Sequence, residues 1–432
     1  MGTITLIILL MVEAFLLIWS IASKNNHRKE KSIVRIGELL LLIVLLLTGI
    51  LEWGFRYYMI LTVLFIQSLI GLIVLLKKED KPYRLSKNIL AFIRNSVLVT
   101  FALFLAILCP QYVQPQMSGS NEVATAKYTW TNESRIEKFS DTGDNRALTV
   151  EFWYPEDMQG TYPLVVFSHG AFGFSGSNMS TFKELASNGY VVASIGHTYH
   201  AFYTADTNGK ITLVDQNFLN RAIEITNMNE AENEQEIYST TQEWMALRTA
   251  DENFVLDTII SNVNSGTADD VFSHINTDKI GLFGHSMGGA SSAQLGRTRS
   301  DIDSVIVIDG TMLGEDIRFE NGMPVINDTP YPIPLLNIYA EDHYTNAMAQ
   351  DGDRYENFNA TKNAPVAYEV VFKNAGHLNF TDLPLFSPTL ANMLGVGTVD
   401  ARDCIEKTNH IVLEFFNCYL KDGETPKFEK EY

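Results

Sequence analysis

A serine flanked by glycines is the first feature of this sequence that could do chemistry. Ser286 lies in Gly284-His-Ser-Met-Gly288, directly after the apolar run Lys279–Phe283. This spacing is typical of a sharp turn between a strand and a helix, where small glycines let the two elements pass closely and the serine hydroxyl stands exposed. The pattern predicts that Ser286 is a nucleophile; the alternative is a serine in an ordinary glycine-rich turn.

A second glycine-containing loop could stabilise the negative charge that such a nucleophile creates. The apolar run Pro163–Phe167 leads into Ser-His-Gly170-Ala171. Because glycine lets the backbone approach a reacting oxygen, we expect the N–H of Ala171 to be one oxyanion donor and the N–H of Met287 to be the other. The alternative is a plain glycine turn.

A histidine and an acid would complete a catalytic triad. His377 follows the apolar run Ala367–Phe372, and a loop at that position can bring an imidazole back over the sheet as a general base. The acid should lie between the serine and the histidine in the chain. Asp309, Asp342 and Glu341 each follow an apolar run, so the residues alone leave this choice open.

Two further histidines, His197 and His200, follow another apolar run. They precede the nucleophile in the chain, so they are expected to be pocket or structural residues. Their spacing could suit a metal ion, but no third ligand cluster accompanies them. We therefore predict no metal site and no cofactor.

The elements that must position these residues alternate between short apolar runs and helix-like segments. Apolar runs separated by helices indicate a mostly parallel sheet with helices on both faces, so residues 128–432 are predicted to form one α/β domain. Residues 216–250, rich in Glu, Asn and Gln, are predicted to be a helical insertion. The predicted strands are Pro163–Phe167, Tyr190–Ser194, Lys279–Phe283, Ser304–Ile308, Pro334–Ile338 and Ala367–Phe372, and the predicted helices are Thr181–Ser187, Thr241–Val263, Gly289–Leu295, Tyr344–Phe358 and Ala401–Leu420.

The beginning of the chain has a different composition. Residues 1–115 carry 12 basic and 6 acidic residues, whereas the rest of the 432-residue chain carries 20 basic and 45 acidic ones. An acidic surface excludes nucleic acid as an expected partner. Residues 1–110 are predicted to be a four-helix transmembrane region and 111–127 a linker, because four apolar runs each approach the roughly 20 residues of a membrane span. These runs are Ile4–Ile21, Ile33–Glu52, Tyr57–Leu76 and Ile89–Cys109.

Basic residues are concentrated in two of the predicted loops. Lys24, Arg28, Lys29, Lys31 and Arg35 follow the first run, and Lys77, Lys78, Lys81, Arg84 and Lys87 follow the third. Basic loops stay in the cytoplasm, so both termini and the α/β domain are expected to be extracytoplasmic. Among ionisable residues inside the runs, Glu38 and Arg94 are expected at one depth, where they could pair, and Glu13 has no obvious partner.

These motifs resemble those of a known family. Gly284-His-Ser-Met-Gly-Gly289, the His169-Gly170 loop, Asp309 soon after the serine and His377-Leu-Asn-Phe-Thr-Asp382 are together similar to the plasma-type, or isoform II, platelet-activating factor acetylhydrolases and their bacterial relatives. The resemblance covers roughly Tyr162 to Leu420. It implies an α/β-hydrolase fold and the activity of a serine esterase or calcium-independent phospholipase A2.

The resemblance also implies roles for individual residues. Ser286 and His377 match the nucleophile and base of the family, and Ala171 and Met287 match its oxyanion donors. The family places its acid just past the strand after the nucleophile, which favours Asp309. The four helices and the acidic insertion, which with the His197–His200 loop should line the acyl pocket, depart from the secreted enzymes.

The expected function is that of a membrane-anchored serine ester hydrolase. Its substrate is expected to be a lipid or small ester, with short or truncated acyl esters of lipids favoured. The alternatives are an acyltransferase to a cell-envelope acceptor, a non-catalytic receptor module that retains the fold, and a transporter or sensor formed by the helices.

Overall fold

The computed structural model describes residues 1–77, 82–157, 159–228, 230–266 and 270–432. These residues form two compact units. Met1–Val113 and Pro384–Met393 belong to the first, and Gln114–Leu383 and Leu394–Tyr432 belong to the second.

The first unit is helical. Its helices from the first part of the chain are α1 (Gly2–Ser23), α2 (Arg28–Leu47), α3 (Phe55–Leu76), α4 (Leu85–Ala102) and α5 (Phe104–Leu108). Leu42, Ile60 and Leu64 are buried between these helices, whereas large apolar side chains such as Met11 and Phe15 are exposed. Apolar side chains on the outside of a helix bundle suit a lipid environment better than water.

Two of these helices, α1 and α3, are long and apolar enough to span a membrane. The other two predicted spans also form helices, α2 and α4, but within the described residues they do not have the composition of a span. Helix α2 is not apolar enough because it carries many charges: it begins Arg-Lys-Glu-Lys and also contains Arg35 and Glu38. Lys78 and Lys81, on which the orientation partly depends, lie outside the described residues.

The expected pairing of Glu38 with Arg94 is wrong. Arg35 contacts both Glu13 and Glu38: its Nη2 contacts Glu13, and its Nη1 lies 2.8 Å from Glu38 Oε2. Arg94 instead donates to Asn95 Oδ1, at 3.0 and 3.2 Å. Arg35 and Glu38 are three residues apart on α2, and this spacing brings side chains together on one helix face.

The second unit is built on a sheet of eight strands. They are β1 (Val123–Ile136), β2 (Asn145–Pro155), β3 (Tyr162–Ser168), β4 (Val191–Gly196), β7 (Ile275–His285), β8 (Ser304–Ile308), β11 (Leu335–Ala340) and β12 (Ala367–Phe372). The order across the sheet is β1-β2-β4-β3-β7-β8-β11-β12. Two hairpins lie outside this sheet, and they consist of β5 (Tyr203–Ala205) with β6 (Ile211–Leu213) and of β9 (Asp316–Glu320) with β10 (Met323–Ile326).

The sheet is mostly parallel, as the sequence predicts. Strand β2 is antiparallel to both of its neighbours, and every other pairing in the sheet is parallel. All six predicted strands are present, and most of their residues are buried. Strand β1 begins at Val123, so the end of the expected linker 111–127 belongs to the sheet.

Helices cover both faces of the sheet. Buried side chains of α6 and α15 pack on one face, and those of α8 and α10 pack on the other. The helices after α5 are α6 (Met179–Ser187), α7 (Gln216–Asn227), α8 (Glu230–Ser265), α9 (Asp270–Ser273), α10 (Met287–Thr298), α11 (Glu341–Gln350), α12 (Glu356–Asn363), α13 (Leu383–Phe386), α14 (Pro388–Leu394) and α15 (Ala401–Leu420). The predicted insertion 216–250 thus corresponds to α7 and the first half of α8, which bends at Asn233.

The predicted helix Tyr344–Phe358 is wrong as a continuous element. Helix α11 ends at Gln350, and α12 begins at Glu356. The chain between them contains Gly352, whose φ of 54° lies in the left-handed region. A residue in this conformation ends a right-handed helix, which explains the break.

Candidate active site

Three of the sequence-predicted site residues follow parallel strands of the sheet. Ser286 follows β7 directly, Asp309 follows β8 directly, and His377 lies on the loop after β12. The carboxyl ends of parallel strands meet at one edge of a sheet, which is where open α/β sheets bind their ligands. The topology therefore brings all three residues to the same edge.

The backbone at Ser286 is strained in the manner of a nucleophile turn. Ser286 has φ 55° and ψ −128°, and it is the residue before the first turn of α10. Its N–H donates to the Ile308 carbonyl at 2.8 Å. A Cβ on Gly284 would collide with Gly288, and one on Gly288 would collide with the Ser168 carbonyl. Glycine at position 284 therefore lets α10 pass close to β7, and glycine at position 288 lets α10 approach the end of β3.

The Asp309 carboxylate holds the ring of His377. Asp309 Oδ2 lies 2.7 Å from His377 Nδ1, and Oδ1 accepts the N–H of Ala340 at 2.7 Å. The Asp309 side chain is 1% exposed and that of His377 is 45% exposed. The other nitrogen of His377 therefore remains available for proton transfer at the site.

The structure separates the candidate acids that the sequence left open. Asp342 Oδ1 accepts the N–H of His343, and Glu341 Oε2 accepts the N–H of Asn374. Asp309 is the acid that contacts His377. Although burial favours a neutral carboxyl, hydrogen bonds from His343 and His377 hold the pKa of Asp309 well below its usual value.

Two further histidines surround this pair. His343 Nδ1 lies 2.9 Å from Asp309 Oδ1, so the carboxylate contacts two imidazoles. His285 Nε2 donates to the His377 carbonyl at 2.9 Å. Burial and the neighbouring His377 lower the pKa of His285 to about 3, so His285 is neutral at ordinary pH. Sequence reasoning missed both roles, although His343, like Ser286 and Asp309, closely follows a buried strand.

The loop predicted to carry an oxyanion donor lies against Ser286. A Cβ on Gly170 would lie 3.1 Å from Ser286 Cβ, so glycine is what lets the loop approach. The loop is a tight turn in which the Gly173 N–H donates to the Gly170 carbonyl at 3.1 Å. Ala171 and Met287 both line the cavity that contains Ser286.

A buried arginine, which sequence reasoning missed, fixes this loop. Arg248 is 0% exposed, and it donates to the carbonyls of His169 and Gly170 at 2.8 and 3.3 Å. Burial lowers the pKa of Arg248 to about 9, which leaves it charged at neutral pH. These bonds tie down the loop carbonyls and thereby fix the orientation of its peptide groups.

The site opens into a cavity of about 590 Å³. The part of its lining that comes from the insertion includes the apolar residues Ala222, Ile225, Ile237 and Trp244, together with Glu234 and Thr241. Charged residues elsewhere in the lining include Asp316, Asp351, Arg354 and Glu356. Such a cavity fits a small ligand with apolar and polar parts.

A second serine, histidine and aspartate lie in the order of a triad, but they are deeply buried. Ser168 Oγ is 2.9 Å from His197 Nε2, and His197 Nδ1 is 3.0 Å from Asp251 Oδ2. All three residues are 0% exposed. Burial and the charge of Arg248 lower the pKa of His197 to about 3, which makes it a weak base.

Asp251 also binds two arginines, and this explains the burial of the network. Arg146 Nη2 lies 2.6 Å and Arg135 Nη1 lies 2.7 Å from Asp251. His197 and His200 were expected in the acyl pocket or in a structural role. They lie 0% and 1% exposed under the site, and His200 stacks on Phe218 at a ring distance of 3.7 Å.

A mostly parallel sheet, helices on both faces and a strained serine turn after a central strand define an α/β hydrolase. The family model for platelet-activating factor acetylhydrolase, isoform II, matches residues 147–430, so the chain belongs to this family. The resemblance seen in the sequence is thus confirmed. A ferulic acid esterase from Streptomyces cinnamoneus has a similar fold, with a TM-score of 0.52 and 21% identity over 72% of this chain and 94% of that chain.

Proposed function

We propose that this protein is a membrane-anchored serine ester hydrolase whose catalytic residues are Ser286, His377 and Asp309. The observation that carries the proposal is the bond of Asp309 to His377 at the cavity into which the strained Ser286 turn opens. Membership of a hydrolase family supports the same chemistry. The buried Ser168 lacks the access that an ester would need.

In the proposed reaction, Ser286 Oγ attacks the ester carbonyl while His377 accepts the hydroxyl proton. Asp309 holds the imidazole in the required tautomer and stabilises the imidazolium that forms. The N–H groups of Ala171 and Met287 would bind the oxyanion, each contributing about 3–4 kcal/mol. The tetrahedral intermediate collapses to an acyl-enzyme, and the leaving alkoxide takes the proton from His377. Water, deprotonated by His377, then releases the acid and restores Ser286.

The proposed substrate is a lipid ester with a short or truncated acyl chain. Two features support it: the family takes its name from an acetylhydrolase, and the cavity lining contains both apolar and charged residues. The apolar residues suit an acyl chain, and the charged residues suit a polar head group.

We further propose that all four predicted helices cross the membrane and that both termini and the catalytic unit are extracytoplasmic. The support is the exposed apolar side chains on all four helices, among them Leu40 of α2 and Phe101 of α4, together with the basic residues after the first and third predicted spans. Tethering would hold the site near a lipid substrate at high effective concentration.

A fluorophosphonate probe tests the nucleophile, because it modifies an activated serine without any assumption about the ester. The full chain in detergent micelles is expected to be labelled at Ser286, and Ser286→Ala is expected to lose labelling. Ser168→Ala is the matched control, since Ser168 belongs to the buried network, and it is expected to retain labelling. Labelling that survives Ser286→Ala and disappears in Ser168→Ala would contradict the proposal. Esters from acetyl to palmitoyl, offered to unlabelled wild-type protein with Ser286→Ala as the blank, then test the preference for short chains.

A further inference from the structure

We infer that His343 is a positioning residue, which holds the Asp309 carboxylate for His377 and shares the negative charge of that carboxylate with His377. The inference rests on the proposed function, because it gives His343 a role in the same triad. His343 is the third residue of α11, and Glu341 and Asp342 separate it from the end of β11. It contacts the carboxylate oxygen of Asp309 that His377 does not contact.

The geometry divides the two oxygens of Asp309 between different tasks. Oδ1 accepts from the Ala340 N–H at 2.7 Å and from His343 Nδ1 at 2.9 Å, whereas Oδ2 faces His377 Nδ1 at 2.7 Å. A carboxylate with one oxygen held by two donors cannot rotate without breaking both bonds. His343 therefore helps to keep Oδ2 directed at His377.

The ring of His343 is itself fixed at both nitrogens. Its Nδ1 contacts Asp309, and its Nε2 lies 2.8 Å from the Tyr355 hydroxyl. That hydroxyl also lies 3.2 Å from Thr311 Oγ1, and Tyr355 is 4% exposed. Neutral His343 with its proton on Nδ1 donates to Asp309 and accepts from Tyr355, so one tautomer satisfies every partner.

Electrostatics gives His343 a second effect. A carboxylate stabilises a hydrogen-bonded imidazolium, but each further donor to the carboxylate weakens that effect. Burial lowers the pKa of His343, yet its hydrogen bond to Asp309 outweighs this and leaves the pKa raised. A proton on His343 consequently disfavours one on His377. Several titratable groups surround His343: Asp309, His377, Tyr355, Tyr339 and, on its own helix, Glu341 and Asp342. His285 packs against the ring of His377. The same cavity is also lined by the charged residues Asp316, Asp351, Arg354 and Glu356.

Two substitutions separate this role from simple packing. His343→Leu fills the space and removes the donor to Asp309, whereas His343→Asn keeps an N–H donor close to the position of Nδ1. His343→Met replaces the leucine variant if that variant does not fold. Carbethoxylation of His377, followed by mass spectrometry as a function of pH, gives the titration midpoint of His377 in the full chain in micelles. His410, whose side chain is 74% exposed, is the reference histidine in the same digest.

In His343→Leu, the midpoint of His377 is expected to move to higher pH by about 0.5–1 unit, because Asp309 then acts on His377 alone. The acid limb of fluorophosphonate labelling is expected to move in the same direction. The kcat should fall about 10- to 100-fold with KM little changed, since the carboxylate is less well oriented. His343→Asn is expected to keep the wild-type midpoint and most of kcat.

An unchanged His377 midpoint in the leucine or methionine variant overturns the inference, as does an equal shift in the asparagine variant. The midpoint is measured on His377 itself, so it decides the matter even if Ser286 proves unreactive. Failure of the probe to label wild-type Ser286 would instead overturn the proposed function, and the two failures are therefore distinguishable.

Discussion

At the scale of single residues, Asp309 is the centre on which the site depends. It is almost fully buried, yet its carboxylate is charged because two imidazoles and a backbone N–H surround it. The left-handed φ of 49° at Asp309 turns the chain sharply at the end of β8. This conformation costs of order 1 kcal/mol or more, and the surrounding hydrogen bonds offset that cost.

Asp309→Asn is expected to lower kcat for a short-chain ester by about 10⁴-fold. An amide NH₂ that faces His377 Nδ1 would favour the tautomer whose proton is on Nε2, and that tautomer cannot accept the serine proton. Asp342→Asn is the matched control, because Asp342 Oδ1 accepts a backbone N–H of its own helix instead of contacting His377. Steady-state kinetics of the two variants checks this assignment, and a larger loss in Asp342→Asn would show that Asp309 is not the acid.

At the scale of elements, the loop after β3 that contains Gly170 and Ala171, which we propose to supply an oxyanion donor, is positioned by distant parts of the chain. Strand β3 leads the loop to Ser286, the proposed nucleophile, and Arg248 from α8 holds two of its carbonyls. Gly170 allows the loop to lie against His285 and Ser286. Three elements that are distant in the chain thus position one turn.

Gly170→Ala is expected to reduce kcat by about 10²–10³-fold, the effect of losing one oxyanion donor. The added Cβ would lie 3.0 Å from His285 Nδ1 and 3.1 Å from Ser286 Cβ, so the loop must move away from the nucleophile. Gly37→Ala is the control, since a Cβ at Gly37 has nothing within 4 Å. The measurement is kcat together with the melting temperature, because a fall in stability with unchanged kcat would mean that the loop tolerates the methyl group.

Sequence reasoning could predict the strands whose burial leaves a clear pattern of apolar residues in the sequence. Strands β3, β4, β7, β8, β11 and β12 are buried on both faces, so each appears in the sequence as a short apolar run. Strand β1 is half-exposed along its length and contains Lys127 and Asn132, so it lacks that signal. The antiparallel β2, which pairs with it, was missed as well.

A residue of the candidate site could be predicted where all the residues that its conformation requires are close together in the sequence. Ser286 is such a residue, because the glycines that its turn requires are neighbours in sequence. Asp309 and Asp342 both follow strands, and β11, which precedes Asp342, is the strand next to β12. Strand order therefore does not identify the acid; the side-chain contacts do, because Asp309 contacts His377 whereas Asp342 accepts the N–H of His343. Arg248 contacts a loop almost 80 residues away in the chain, so no local pattern could reveal its role.

At the scale of the whole molecule, charge and hydropathy are divided between the two parts of the chain. The first 115 residues have a basic excess and apolar helix surfaces, while the remainder is strongly acidic. Basic residues near apolar helices set the orientation in a membrane, whereas a net negative charge keeps a water-exposed domain soluble. This division underlies the proposed arrangement of a membrane anchor and an extracytoplasmic hydrolase.

The number of spans and their orientation can be measured with single cysteines in a Cys418→Ser background, since Cys109 and Cys404 are buried. Lys29→Cys, Glu52→Cys and Glu424→Cys place exposed thiols after the first predicted span, after the second and near the C-terminus. With four spans and an extracytoplasmic hydrolase, an impermeant maleimide labels Glu52→Cys and Glu424→Cys on intact cells, and it labels Lys29→Cys only after lysis. If α1 and α3 alone crossed the membrane, residue 52 would lie on the same side as residue 29, so Glu52→Cys would be protected together with Lys29→Cys. Labelling of Lys29→Cys on intact cells with protection of Glu424→Cys would reverse the orientation and place the hydrolase in the cytoplasm.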